Sequence, residues 1–237
     1  MIAVVSSTLT PSALPSHDGP RTNLDPLTRL EQTVASVCSL VALGAREIFI
    51  ADNSTPAPSP ETIAALAPAR VFHFGHFPYR NKGVAEAFLL LALLPHLPAN
   101  RPILKLSGRY RASLDLCAQL GDAPLAGLFT RPPGGVENLS TRAYAVRERE
   151  FFARFLEGAL DELYASPWRV VGPRSLLSVA RRLLRASTDA VPYRDPKGSL
   201  EISAARWLAR NRIAVRRLDQ IGVEGVLGSW INPAVKE

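Results

Sequence analysis

The sequence predicts an α/β protein built on a mostly parallel central sheet flanked by helices, with antiparallel additions in its second half. Three observations lead there. Short apolar runs end in polar or small residues, as in IAVVSS, EIFIADNS and ILKLS. Longer segments with apolar residues at helical spacing separate them, and this alternation is the order of a parallel sheet with crossover helices. After Leu120 two strand-like runs, APLAGLFTRP and ENLSTRAYAV, follow one another closely, as antiparallel neighbours do. With 237 residues, 47% of them apolar, the chain can bury one sizeable core. A single domain spanning residues 1–237 is expected, with halves at 1–120 and 121–237.

The elements follow in order. Ile2 to Ser7 is β-branched and reads as a buried strand, followed through Pro20 by a loop rich in Ser, Pro and Gly. LDPLTRLEQTVASVCSLVALG opens with Asp25 as cap and Pro26 in the first turn and stops at Gly44, the pattern of a helix. REIFIADNS is a second strand, a proline-rich loop leads to a short helix near Glu61 to Leu66, and ARVFHFG is a third strand. RNKGVAEAFLLLALLPHL is a turn feeding an apolar helix, and ILKL is the fourth strand. Beyond the strand pair, REREFFARFLEGALDELY is helical, 168–194 is a basic helical insertion, SLEISAARWLARNR is a helix and IAVRRLD a last strand. In such sheets ligands bind at the carboxyl ends of the strands. Ser6, Asp52, Gly75 and Ser107 fall on that rim.

Basic residues outnumber acidic ones 28 to 21, for a formal charge of +7, and favour anionic partners: phosphate groups, an acidic membrane surface or nucleic acid. No aromatic-interleaved recognition motif accompanies the charge, so no nucleic acid is expected. Cys38 and Cys117 stand far apart in apolar contexts and read as small buried hydrophobes, with neither a disulfide nor a zinc site implied. His73 and His76 lack a third ligand at metal spacing. MIAVVSSTLTP has no basic leader, and the longest apolar block, Val84 to Leu97, is broken by Glu86, Pro95 and His96. A cytoplasmic protein is expected. The basic segment RSLLSVARRLLRAS suits either peripheral contact with the anionic inner face of a membrane or packing against the body.

Taken in order, DNS after the second strand, N-x-G before a long apolar helix, the ILKL strand and a later Glu heading a helix resemble the nucleotide-sugar glycosyltransferases of the GT-A fold, which are Rossmann-like. The resemblance covers residues 1 to 150 well and 199 to 218 loosely. It implies a nucleotide-sugar-binding first half and an acceptor-side second half. It also implies that Asp52 contacts the base or ribose, beside Ser6, Ser7 and Asn53 on the rim. A turn-forming Asp-Asn pair is the other reading of that position. Asn81, Lys82 and Gly83 match the N-x-G turn, where glycine lets backbone approach the nucleotide and the helix start favours phosphate. An ordinary helix-starting loop is the alternative.

One departure stands out. The family usually carries Asp-x-Asp after this strand to hold a divalent metal against the donor diphosphate; here the position reads Ser107-Gly108-Arg109-Tyr110. The expectation is that Lys105, Arg109 and Arg111 supply the positive charge instead, with Ser107 and Tyr110 as hydrogen-bond partners and Gly108 breaking the strand. A structural ion pair across the sheet is the competing reading. No cofactor beyond the nucleotide-sugar donor is expected, and dependence on a divalent metal is left open. Glu201, heading its helix, matches the place of the family's general base, or else interacts only with the helix dipole; Glu137 and Asp195 are further candidates. Arg131, Thr141, Arg142 and Tyr144 are placed at an acceptor or the diphosphate. The implied function is a bacterial glycosyltransferase of surface polysaccharide synthesis, using a glycan or lipid-linked acceptor. The alternatives are a sugar nucleotidyltransferase, for which SSTLTPSALPSHDG offers no convincing Gly-rich phosphate loop, and a non-catalytic nucleotide or glycan binder.

Overall fold

A computed structural model describes residues 1–11, 24–169, 176, 177, 179, 195–226 and 234–237. The Ser/Pro/Gly-rich loop and most of the basic insertion lie outside the described residues. Strand β1 (Ile2–Ser7) leads to α1 (Pro26–Ala42), β2 (Glu47–Asp52), α2 (Pro60–Ala65), β3 (Arg70–His73), α3 (Lys82–Leu93) and β4 (Ile103–Ser107). Then come β5 (Tyr110–Ala112), β6 (Leu125–Thr130), β7 (Asn138–Val146), α4 (Arg149–Ala165), α5 (Leu200–Arg210), β8 (Val215–Leu218), β9 (Val223–Val226) and β10 (Ala234–Lys236).

Local chemistry sets the helix starts. Asp25 accepts from the Thr28 amide at 3.0 Å, Ser59 from Thr62, Asn81 from Gly83 and Val84, and Ser199 from Ile202, each satisfying an amide the helix leaves over. Helix α1 ends where Gly44 takes a φ of 76°, open to glycine without strain.

The main sheet has the order β3-β2-β1-β4-β7-β6-β8. β1 to β4 are parallel, β7 runs antiparallel to both its neighbours, and β8 is parallel to β6. Both faces of the central strands are covered, which is why β1 opens as an apolar run and β4 is apolar but for Lys105. Ile2, Val4 and Ile103 meet α3, α4 and α5 on one face; Ala3, Val5, Leu104 and Leu106 meet Val37 and Leu40 of α1 on the other.

The chain builds outward from β1 through β2 to β3, then returns to place β4 on the other side of β1. The carboxyl ends of β1 and β4 therefore flank a topological switch point, where a crevice opens. A second, antiparallel sheet, β5-β9-β10, starts directly after β4.

Two expectations need correction. Cys38 is exposed on the outer face of α1, because the buried stripe of that helix runs through Thr33, Ser36, Val37 and Leu40. Cys117 is half-buried, and burial followed by the nearby Asp115 carboxylate pushes its thiol up to about 12. Among the described residues, no helix is long and apolar enough to cross a membrane.

Candidate active site

A cleft with two lobes opens at the switch point. The smaller, about 150 Å³, lies over the end of β1 and is lined by Ser6, Ser7, Thr8, Arg29, Thr33 and Asn53. The larger, about 590 Å³, runs along the start of α3 past Tyr110, Thr141 and Arg142 to residues 197–201. Lys82, Glu86, Ser107 and Arg109 line both. The cleft thus gathers the rim serines, the N-x-G turn, the Ser-Gly-Arg-Tyr turn and Glu201.

The turn after β4 is held in place by α1. The Gly108 amide donates to Ser6 O at 2.9 Å, and a Cβ at that position would stand only 3.2 Å from the same oxygen, so glycine permits the close approach to β1. Three hydroxyls of α1 then bond successive points of the exiting chain: Thr33 donates to Gly108 O at 3.1 Å, Ser36 donates to Tyr110 O at 2.6 Å, and Ser39 accepts from the Ala112 amide at 3.0 Å. Residues 33, 36 and 39 share one helix face, while alternate strand residues 110 and 112 share one edge. Arg109, between these anchors, lines both lobes. Tyr110 itself is only 2% exposed, and its ring lies 5.9 Å from the Arg109 guanidinium and 6.0 Å from that of Arg142.

Lys105 departs from expectation. Its side chain is fully buried and its ammonium pairs with Glu86 Oε1 at 2.6 Å, while also donating to Ser107 Oγ at 2.9 Å and to the Thr141 carbonyl. Strand register places it opposite Tyr144 on the face toward α3, beneath the cleft floor, so its charge neutralises Glu86 instead of meeting a ligand. Glu86 also accepts from Ser6 Oγ at 2.6 Å. Burial raises the Glu86 carboxyl, but Lys105, Ser6 and Arg109 outweigh it and hold the group below the usual glutamate range. This ion pair joins strand to helix through a lysine, and is not the pairing of an arginine with a carboxylate across the sheet that the competing reading expects.

Glu201 sits in the first turn of α5. Its Oε1 accepts from Thr141 Oγ1 at 3.1 Å and its Oε2 from Ser199 Oγ at 2.5 Å. Asn81 and Asp195 hold this segment against α3. Asn81 caps α3 with its carbonyl and donates its amide to Pro196 O and Gly198 O at 2.6 and 2.9 Å. The Asp195 carboxylate accepts from the Arg80 and Asn81 amides at 2.7 and 2.8 Å. The expected roles change accordingly. Asp195 is a clamp, not a base, and the Asn81 side chain is engaged by protein. A Cβ at Gly83 would meet the Leu200 Cβ at 2.7 Å, so glycine here allows the close approach of α5 to α3, and Gly83 also lines the large lobe.

Other expected site residues lie outside the cleft. Asp52 is 0% exposed and both its oxygens are engaged: Oδ1 by the Leu9 amide and Ser54 Oγ, Oδ2 by the Ser54 amide and His73 Nδ1. It ties the ends of β1, β2 and β3 together and offers no oxygen to a base or ribose. Arg131 is exposed on the β6–β7 hairpin, and Glu137 on the same hairpin is held by both terminal nitrogens of Arg217 at 2.7 and 3.0 Å. Arg111 lines a groove on the outer face of α1 with Cys38, and Tyr144 is core. Arg142 reaches the large lobe and pairs with Glu237.

The residues in place do not suit a divalent cation after β4. That position offers a serine and an arginine; of the carboxylates lining the cleft, Glu86 is paired with Lys105 and Glu201 accepts from Thr141 and Ser199. Among the described residues, no group of three or more His, Cys, Asp or Glu side chains is clustered for a metal.

Glu86 and Arg29 escaped sequence reading. Glu86 stood out only as an interruption of an apolar block. For Arg29 a usable signal exists: Arg29, Thr33 and Ser36 occupy on α1 the face that Val37 and Leu40 continue, and polar residues on a buried face mark a helix end packed against something polar.

No protein-family model matches this sequence, and no curated protein matches it. Solved structures do. One from Bacillus anthracis, named as a glucose-1-phosphate thymidylyltransferase, aligns over 98% of this chain and 91% of its own at 10% identity, with a TM-score of 0.50. The 4-diphosphocytidyl-2C-methyl-D-erythritol synthase of Anaerococcus prevotii aligns over 100% and 93% at 12% identity, TM-score 0.48. An active-site mutant of the galactosyltransferase LgtC aligns over 94% and 86% at 10% identity, TM-score 0.46. At such identities the likeness concerns fold alone. The chain has an α/β fold with a mixed seven-stranded sheet, and it is similar in fold to the Bacillus anthracis protein named as a glucose-1-phosphate thymidylyltransferase.

Proposed function

We propose that this chain is a glycosyltransferase that moves a sugar from a nucleotide-sugar donor to a hydroxyl of a glycan or lipid-linked acceptor, in the assembly of a surface polysaccharide. The observation that carries the reading is the position of Glu201. Its carboxylate lines the large lobe, oriented by Ser199 and Thr141, and that lobe shares Arg109 with the small one.

In the reaction the acceptor oxygen attacks the anomeric carbon and its proton passes to Glu201. The bond from that carbon to the phosphate oxygen breaks, and the nucleoside phosphate leaves as an anion. A base fixed by two hydrogen bonds suits the first half of the step, and a guanidinium at the leaving oxygen suits the second. Arg142 and Lys197 at the large lobe are the acceptor-side cations.

The test is a panel of nucleotide sugars scored for thermal stabilisation and turnover. E201Q is expected to lose at least about 100-fold in rate, the lower range for a general base, with an unchanged melting curve. A rate within about threefold of wild type, far short of a general base's contribution, overturns the assignment of the base. Release of pyrophosphate from a nucleoside triphosphate and a sugar 1-phosphate would instead identify a nucleotidyltransferase.

A further inference from the structure

We propose that Arg29 of α1 and Arg109 of the Ser-Gly-Arg-Tyr turn together form a phosphate-binding subsite in the small lobe, taking the diphosphate or monophosphate of a nucleotide. Its identification with the donor's leaving group rests on the glycosyl-transfer reading.

Among the described residues, the charges lining this lobe are three cations, Arg29, Lys82 and Arg109, against the carboxylate of Glu86. Glu86 is already compensated by Lys105 at 2.6 Å. The other carboxylate near Arg29, Asp52, is bound by Leu9, Ser54 and His73. Among the described residues no carboxylate forms an ion pair with Arg29 or Arg109. Among those residues the two guanidiniums therefore line one crevice of about 150 Å³ without a paired carboxylate, Asp52 acting on Arg29 and Glu86 on Arg109 only through space.

Such an arrangement is unfavourable in isolation, because partial burial and like charge both disfavour the cation. Both influences are felt at Arg29, which burial first and Arg109 second bring down to about 10 against the opposing pull of the Asp52 carboxylate, still fully charged at neutral pH. A dianionic group between them removes the repulsion and accepts the planar forks of both side chains. Arg29 is also fixed in orientation, since its Nε donates to the Thr8 carbonyl, which leaves its terminal nitrogens as the groups available to a ligand. The lobe lies at the switch point of the sheet, outside the carboxyl ends of β1 and β4. The serine hydroxyls of Ser6 and Ser107 lie on the same wall.

Isothermal titration of the full chain with inorganic pyrophosphate, and separately with nucleoside diphosphates, in excess chelator, tests the proposal. Wild type is expected to bind. R29Q and R109Q should each weaken binding at least about tenfold, the scale of one charge-assisted hydrogen bond, while R131Q, which removes an exposed charge outside the cleft, should bind as wild type. R29K, which retains charge but not the fork, should be intermediate and covers the case in which R29Q does not fold. The subsite is overturned if wild type binds neither ligand class, or if folded R29Q or R29K and R109Q bind both as tightly as wild type. Loss of pyrophosphate binding in R29Q, in a protein that turns over no nucleotide sugar, upholds the subsite and removes the glycosyltransferase reading. Turnover that R29Q leaves intact does the reverse.

Discussion

The Glu86–Lys105 pair shows how much the neighbours of a residue decide. A lysine with no exposed surface is tolerated because a carboxylate, a hydroxyl and a carbonyl surround its ammonium. Removing one partner strands the other, so K105A should destabilise the fold by about 3–5 kcal/mol in urea titrations, whereas E86Q/K105M should recover most of that. The pair also predicts a pH dependence. The folded carboxyl of Glu86 lies below its ordinary 4.5, so it contributes stability above that value and loses it as pH falls through the folded pKa. Melting temperature should drop more steeply below about pH 4.5 in wild type than in E86Q; equal slopes would mean the pair is not ionised. Neither residue was legible as a pair in the sequence. They are 19 positions apart, and both a lysine in a strand and a glutamate in an apolar helix look like groups aimed at solvent or ligand until the sheet register puts them face to face. That Glu201 and Arg109 line a cleft was legible because each stands at an element end, where side chains reach a cleft without crossing a core.

At the scale of elements, the site depends on two helix contacts. The first is the set of α1 hydroxyls bonded to the chain leaving β4. S36A would leave the Tyr110 carbonyl without its 2.6 Å donor, and should lower stability by about 1–3 kcal/mol, the penalty for an unsatisfied buried group, with a smaller effect from T33V. The second is the contact of α3 with α5 through Gly83. Relief of a 2.7 Å contact between two Cβ atoms requires one helix to move, and the residue after Leu200 is the candidate base. G83A is therefore expected to slow turnover by up to about 100-fold with a smaller loss of melting temperature; an unchanged rate would show that Glu201 is not positioned by this contact. The helices and the parallel strands were readable because long amphipathic repeats and capped starts are local signals. The second sheet was not. β5, β9 and β10 have 3, 4 and 3 residues, too few for alternation to emerge, and β9 lies against β5 only because Gly225 leaves room for the Arg109 carbonyl and the Tyr110 ring.

For the whole molecule, the sheet order decides where charge accumulates. Inserting β7 between β4 and β6 was not readable, since strand pairing at long range is set by packing and not by the sequence of either strand. Yet that insertion brings Thr141 and Arg142 beside the Ser-Gly-Arg-Tyr turn, and among the described residues the large lobe is lined by Arg80, Lys82, Arg109, Lys197 and the Glu237-paired Arg142, against the carboxylates of Glu86 and Glu201. A crevice with low-dielectric walls focuses that excess, and the formal +7 of the chain adds to it at long range. Screening acts over about 30 Å in 0.01 M salt and about 10 Å in 0.1 M. The long-range part should therefore vanish first, while contacts inside the small lobe persist. Affinity for a nucleoside diphosphate is expected to fall several-fold between these two salt concentrations and then level off, with the corresponding neutral nucleoside unaffected throughout. Removing an outlying charge in R131Q should lessen the salt slope slightly without changing the plateau, whereas R109Q should lower the plateau itself. A nucleoside diphosphate affinity that ignores salt, or one that R109Q leaves on the wild-type curve, would mean that the anion is bound somewhere other than this cleft.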